Sequence, residues 1–198
     1  GGGSSDAGAV LRGLNLLHGN PIPIIKLREA GRVLGADVPF CVSGGTMTAS
    51  GIGDVLDLCP EPPEFFIVIA VPREPVHTGR AYAALDRQQY EYRDPGAFLE
   101  ALRTGDREAF CAGLFNRFED IAPHAARLND RFASLGAAAS LMTGSGSAVF
   151  GLFDSRADAL AAESALKNDG LFAKLCGVLI LAAAGKGRQF RKARDMAA

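Results

Sequence analysis

The stretch AASLMTGSGSAVFGLF, residues 138–153, restricts the fold more than any other part of the chain. Two apolar runs flank Thr143-Gly144-Ser145-Gly146-Ser147, a pattern that predicts strand, tight turn, strand. A bare turn needs glycine for its backbone, but not three small polar residues around it. The surplus of N–H groups and hydroxyls suits an anion as well as a turn. A second apolar run, FFIVIAV at 65–71, reads as a strand stopped by Pro72, and a third, within LFAKLCGVLIL, as the last strand. Helical spacing fills the intervals. A short helix is expected at about 79–85, further helices over 95–103, 106–113 and 115–134, and one over 155–168. The result is α+β, a sheet backed by helices.

Upstream the pattern changes. GGGSSDAGAV precedes Ala7, Val10, Leu11, Leu14 and Leu17, which recur at helical spacing and predict one apolar helix face, with Ser4 or Ser5 as N-cap and Asp6 in the first turn. Small residues before such a helix form a plausible phosphate cradle, because the first N–H groups are unpaired and the backbone can come close. A flexible linker before an ordinary cap would carry the same residues. IIKLREAGRVLG reads as a second helix closed by Gly35, and GADVPF follows at once. SGGTMTASGIGDVLDL predicts two short strands about a glycine-rich turn. CPEPPE, with three prolines in six residues, marks the boundary between residues 1–60 and 61–198.

Composition excludes several function classes. With 21 basic and 22 acidic residues, the chain lacks the charge footprint of a nucleic-acid binder. The basic tail GKGRQFRKARDMAA reads as a solvated end. The longest apolar run, 175–184, falls short of the roughly 20 residues that span a bilayer, and no signal-peptide pattern is visible. Cys41, Cys59, Cys111 and Cys176 have no metal-ligand spacing and are expected to be reduced, mostly buried thiols of a cytoplasmic protein. His18, His77 and His124 are expected to be surface or packing residues, and no metal site is predicted from the residues. Neither glycine stretch is a Walker loop or a G-x-G-x-x-G fingerprint.

Taken in order, GGGSSDA, LGADVPF, GTMTASGIGD and TGSGSAVFGLF resemble the galactokinase, homoserine kinase, mevalonate kinase and phosphomevalonate kinase superfamily. Within it, GADVPF followed by a G-x-G-acid turn is similar to the 4-diphosphocytidyl-2-C-methyl-D-erythritol kinases. The resemblance implies a two-domain small-molecule kinase fold, here a partial ATP-binding domain followed by a ferredoxin-like, substrate-side domain. It makes Gly1, Gly2, Gly3, Ser4, Ser5, Asp6 and Ala7 the second half of an ATP loop and Asp37 the catalytic base. It assigns Thr78 and Tyr82 to the cytidyl-bearing substrate, and Gly144, Ser145 and Gly146 to a third motif shaping the site. Asp54 stands where the family pattern has glutamate.

ATP and Mg2+ are the implied cofactors. The implied partner is a small molecule, a cytidyl diphosphate sugar alcohol, with no nucleic acid or membrane and with a homodimer left open. The family pattern also places a strand, a lysine and an aromatic–histidine pair ahead of Gly1, so an inactive, N-terminally truncated fragment is expected. A different acceptor alcohol, such as homoserine or mevalonate, and a non-catalytic nucleotide-binding module remain alternatives.

Overall fold

A computed structural model of the chain describes residues 2–51, 53, 55–73, 76–88 and 93–178. Gly1, Asp54 and the basic tail lie outside them. The first helix, α1, runs Gly2–Leu17. It therefore begins earlier than the serines suggested, and Ser4 and Ser5 are helical residues rather than N-caps. Glycine lacks a side chain to resist the helical conformation, so the extra turn costs only its entropy. Proline punctuation then sets the next two elements. Pro23 precedes α2, Ile24–Leu34, and Pro39 sits in the first turn of α3, Val38–Ser43, where a missing N–H is no loss.

Leu27, Val38 and Val42 form the core of this three-helix group, with Ala7 and Leu11 against it. Gly8 decides how closely α1 and α3 approach, since a Cβ there would lie 2.7 Å from the Cys41 Cβ and 2.9 Å from its carbonyl carbon. The expected apolar face of α1 is only partly used. Ala7 and Leu11 are half-buried, whereas Val10, Leu14 and Leu17 are exposed, Leu17 at 82%. Spacing identifies a face but not its occupant. Strands β1, Met47–Ser50, and β2, Val55–Leu58, pair antiparallel as the expected hairpin.

The remaining strands are β3, Phe66–Val71, β4, Ala139–Met142, β5, Val149–Phe153, and β6, Phe172–Val178. They form one antiparallel sheet in the order β4-β5-β3-β6. Helices lie between β3 and β4 and between β5 and β6, so the chain path is the split β-α-β-β-α-β arrangement of ferredoxin-like folds. Helices α7, Pro123–Ser134, and α8, Arg156–Asn168, cover one face, burying Val68, Phe132, Met142, Val149, Phe153 and Leu166. Phe65, Leu102, Phe110 and Leu152 fill the other side with α5, Gly96–Thr104, and α6, Arg107–Gly113. Cover on both sides accounts for the unbroken apolar run of β3.

α4, Thr78–Leu85, follows β3 as expected. The single helix expected over 115–134 is instead a 3-10 turn, Arg117–Ile121, followed by α7. Pro123 explains the break, because it has no N–H to donate and disfavours helical geometry at Ala122, whose φ of −123° and ψ of 77° lie outside the helix. The cysteines are free, but none is fully buried and Cys176 is exposed.

Candidate active site

The glycine-serine turn between β4 and β5 is built from its own backbone. Thr143 N–H donates to Ala148 O at 2.9 Å, and Gly146 N–H to Thr143 O at 3.1 Å. Gly144 and Gly146 have φ of 57° and 90°, the left-handed region that glycine enters without strain. At Gly146 a Cβ would also lie 2.7 Å from the Met142 sulfur. The two glycines leave Ser145 half-buried at the tip of the turn, with its Oγ 3.1 Å from the Thr78 Oγ1. Thus Thr78 and the glycine-serine turn, 67 residues apart, meet through one hydroxyl pair.

The 3-10 turn holds both partners. Asn116 Nδ2 donates to Met142 O at 2.6 Å and to Gly144 O at 2.8 Å, while its Oδ1 accepts from the Phe118 N–H at 3.0 Å. Glu119 Oε1 accepts from the Met142 N–H at 2.6 Å and from Asn129 Nδ2 at 3.0 Å. Phe118 meets the Tyr82 ring edge-on, with centroids 5.0 Å apart at 85°. Tyr82 is still 56% exposed, so one side of its ring stays open to a flat ligand. Asn116, Phe118 and Glu119 were not among the residues picked from the sequence. The N-x-x-E spacing of a capping box was the available signal, although here Glu119 turns to β4 instead of to Asn116.

Asp37 stands at the N-cap of α3, exposed, and its side chain caps none of that helix's amides. Among the described residues its carboxylate enters no hydrogen bond or ion pair. Ser4 and Ser5 lie in the first turn of α1, where orphan N–H groups and the helix dipole favour an anion. Packing of α1 on α3 puts these two motifs on adjoining helices. No hydrogen bond or ion pair among the described residues joins them to the Thr78–Ser145 pair. The described residues also contain no group of three or more His, Cys, Asp or Glu side chains able to hold a metal ion. The perturbed ionisations fall elsewhere. Burial raises the Cys111 thiol, and hydrogen bonds from Lys167 and from the Leu175 N–H, partly offset by burial, lower the Glu163 carboxyl.

Comparison with known proteins agrees with this architecture. Residues 98–171 match the family model described as GHMP kinases C terminal. A 4-diphosphocytidyl-2-C-methyl-D-erythritol kinase from Exiguobacterium sibiricum is 41% identical over 155 residues, which is 76% of this chain and 54% of that protein. One from Caldicellulosiruptor saccharolyticus is 40% identical over 171 residues, covering 84% and 59% respectively. The crystal structure of a 4-(cytidine 5'-diphospho)-2C-methyl-D-erythritol kinase superposes with a TM-score of 0.69 at 34% identity, over 90% of this chain and 65% of that one. The chain thus spans a little over half the length of these curated relatives. Among the described residues no helix is long and apolar enough to cross a membrane.

Proposed function

We propose, from the match of residues 98–171 to the GHMP kinase C-terminal model and the likeness to 4-diphosphocytidyl-2-C-methyl-D-erythritol kinases, that the chain is part of a GHMP kinase and that the whole protein transfers the γ-phosphate of ATP to the 2-hydroxyl of 4-diphosphocytidyl-2-C-methyl-D-erythritol, a step of isoprenoid precursor synthesis. The observation that carries the reading is the Thr78–Ser145 pair beside an open Tyr82 ring. A hydroxyl pair at the tip of a glycine turn can donate to phosphate oxygens, and the exposed tyrosine face can stack on a cytosine. Residues 1–60 belong to the ATP-binding and catalytic domain in this reading, and 61–198 to the substrate side.

Phosphoryl transfer asks little covalent chemistry of a protein and much positioning. Asp37 accepts the proton from the acceptor hydroxyl as that oxygen bonds to the γ-phosphorus and the bond to the β–γ bridging oxygen breaks, releasing ADP. A placed base of this kind contributes ~10²–10⁴-fold. The N-terminal end of α1, Gly2 to Ala7, binds the nucleotide phosphates through the unpaired N–H groups of its first turn and the serine hydroxyls. Mg2+, when bound, neutralises charge on those phosphates.

The test is an assay of the complete polypeptide containing this chain with ATP and, in separate reactions, the diphosphocytidyl alcohol, homoserine and mevalonate. Phosphorylation of the first alone is the expected result. Preference for either of the others would replace the substrate while keeping the kinase. Turnover of none would reduce the site to a nucleotide-binding module.

A further inference from the structure

Beside the Thr78–Ser145 pair a cavity of about 350 Å3 opens between α4 and the start of α7. Among the described residues its polar lining consists of His77, Arg80, His124 and Ser145, with no carboxylate. In a chain whose net charge is only −1, a cavity lined by one arginine, two imidazoles and a hydroxyl gathers hydrogen-bond donors around a single guanidinium charge, apart from any general basic field. Arg80 enters no hydrogen bond or ion pair among the described residues, so its five N–H donors have no acceptor among them. His124 Nε2 is buried and has no hydrogen-bond partner among the described residues.

Buried polar atoms are satisfied in the great majority of cases, and an orphan costs about 1–3 kcal/mol. An acceptor entering the cavity would remove that cost. His124 also occupies the first turn of the twelve-residue α7, where the helix dipole favours negative charge. The apolar side of the cavity, Phe118 and Ala81 among others, lowers the local dielectric and strengthens any charge-assisted bond made there. Ser145 Oγ, shared with Thr78, links the cavity directly to the turn at the centre of the candidate site.

We propose that this cavity is an anion subsite that takes a diphosphate group, held by Arg80, the His124 imidazole and the Ser145 hydroxyl, with His77 at its mouth. The ligand class rests on the proposed kinase function, which brings two diphosphate-bearing molecules to the site, a nucleoside triphosphate and a cytidyl diphosphate. The cavity itself does not depend on that reading. No bond is made or broken in the subsite, whose task is to hold the group that orients the reacting end.

The experiment is an NMR titration of the 198-residue chain with pyrophosphate, CDP and ATP in separate arms, following the His77 and His124 imidazoles and the Ser145 amide. All three probes should give saturable shifts at these groups, and the tighter of CDP and ATP identifies which nucleotide supplies the diphosphate. Arg80→Gln, an exposed substitution that leaves the fold intact, should weaken binding about tenfold, the size of one lost charge-assisted bond. His124→Gln, which keeps a donor of similar reach, should weaken it less. Absence of saturable shifts with every probe, or binding undiminished by Arg80→Gln, overturns the proposal. If pyrophosphate binds here while CDP leaves Thr78 and Tyr82 unmoved, the subsite stands and the kinase substrate is wrong. If CDP perturbs Tyr82 but not His124, the substrate stands and the subsite falls.

Discussion

Asn116→Asp is the substitution that probes most sharply how the site is held. The side chain keeps its shape and can still accept the Phe118 N–H, now 3.0 Å from Oδ1, so the cap on the 3-10 turn survives. It loses both Nδ2 donations, to Met142 O at 2.6 Å and to Gly144 O at 2.8 Å. Each is worth about 1 kcal/mol net, and a carboxylate oxygen left against two carbonyl oxygens adds repulsion, for a total of about 2–4 kcal/mol. In a domain of this size that lowers Tm by roughly 5–15 °C. The sign of the pH dependence follows. The carbonyls favour the protonated form, raising the introduced carboxyl's pKa in the folded state, so the deficit relative to wild type is least in acid and grows as pH rises through that value. Urea unfolding followed by circular dichroism at several pH values measures both quantities, and amide exchange at Ser145 locates the damage. A variant within 0.5 kcal/mol of wild type near pH ~7, well above ordinary carboxylate values, would refute the clamp.

Gly151→Ala should destabilise the sheet by about 1–3 kcal/mol, because the new Cβ would lie 2.3 Å from a ring carbon of the fully buried Phe132; thermal unfolding measures it. Glu163→Gln should cost about 1 kcal/mol at neutral pH, through weaker bonding to Lys167 and to the Leu175 N–H. The Glu163 carboxyl lies below its ordinary value, so this stability is present above the unfolded pKa and is lost as pH falls through the folded one. The difference between wild-type and variant unfolding curves should therefore vanish in acid, and a difference that persists there would contradict the assignment.

The sheet was legible because β3 and β5 are apolar on both faces, and because only a tight turn accommodates Gly144 and Gly146 between two strands. Periodicity was less informative where a helix face has no partner among the described residues, as with Val10, Leu14 and Leu17 of α1. It also ran through Ala122 and Pro123 as if the helix were continuous, since an amphipathic pattern survives a local break in the backbone. α3 escaped notice because six residues are too few to show a period, and its proline reads as a stop until it is seen in the first turn. Of the site, Thr78 and Ser145 were legible as residues but not as a pair. Their contact depends on α4 and the β4–β5 turn converging across 67 positions, which only the sheet order supplies. Asn116 and Glu119 act on backbone atoms, and such bonds leave almost no trace in residue type.

The central claim is that Asp37 is the base of a kinase acting on a cytidyl diphosphate alcohol. The most direct measurement is kcat and KM for phosphorylation of the diphosphocytidyl alcohol by the complete polypeptide, wild type against Asp37→Asn. The account predicts a fall in kcat of ~10²–10⁴-fold with KM little changed, because asparagine keeps the shape of an exposed carboxylate that has no partner among the described residues and removes only its capacity to take a proton. A variant that retains wild-type kcat, or that loses only affinity, would contradict it.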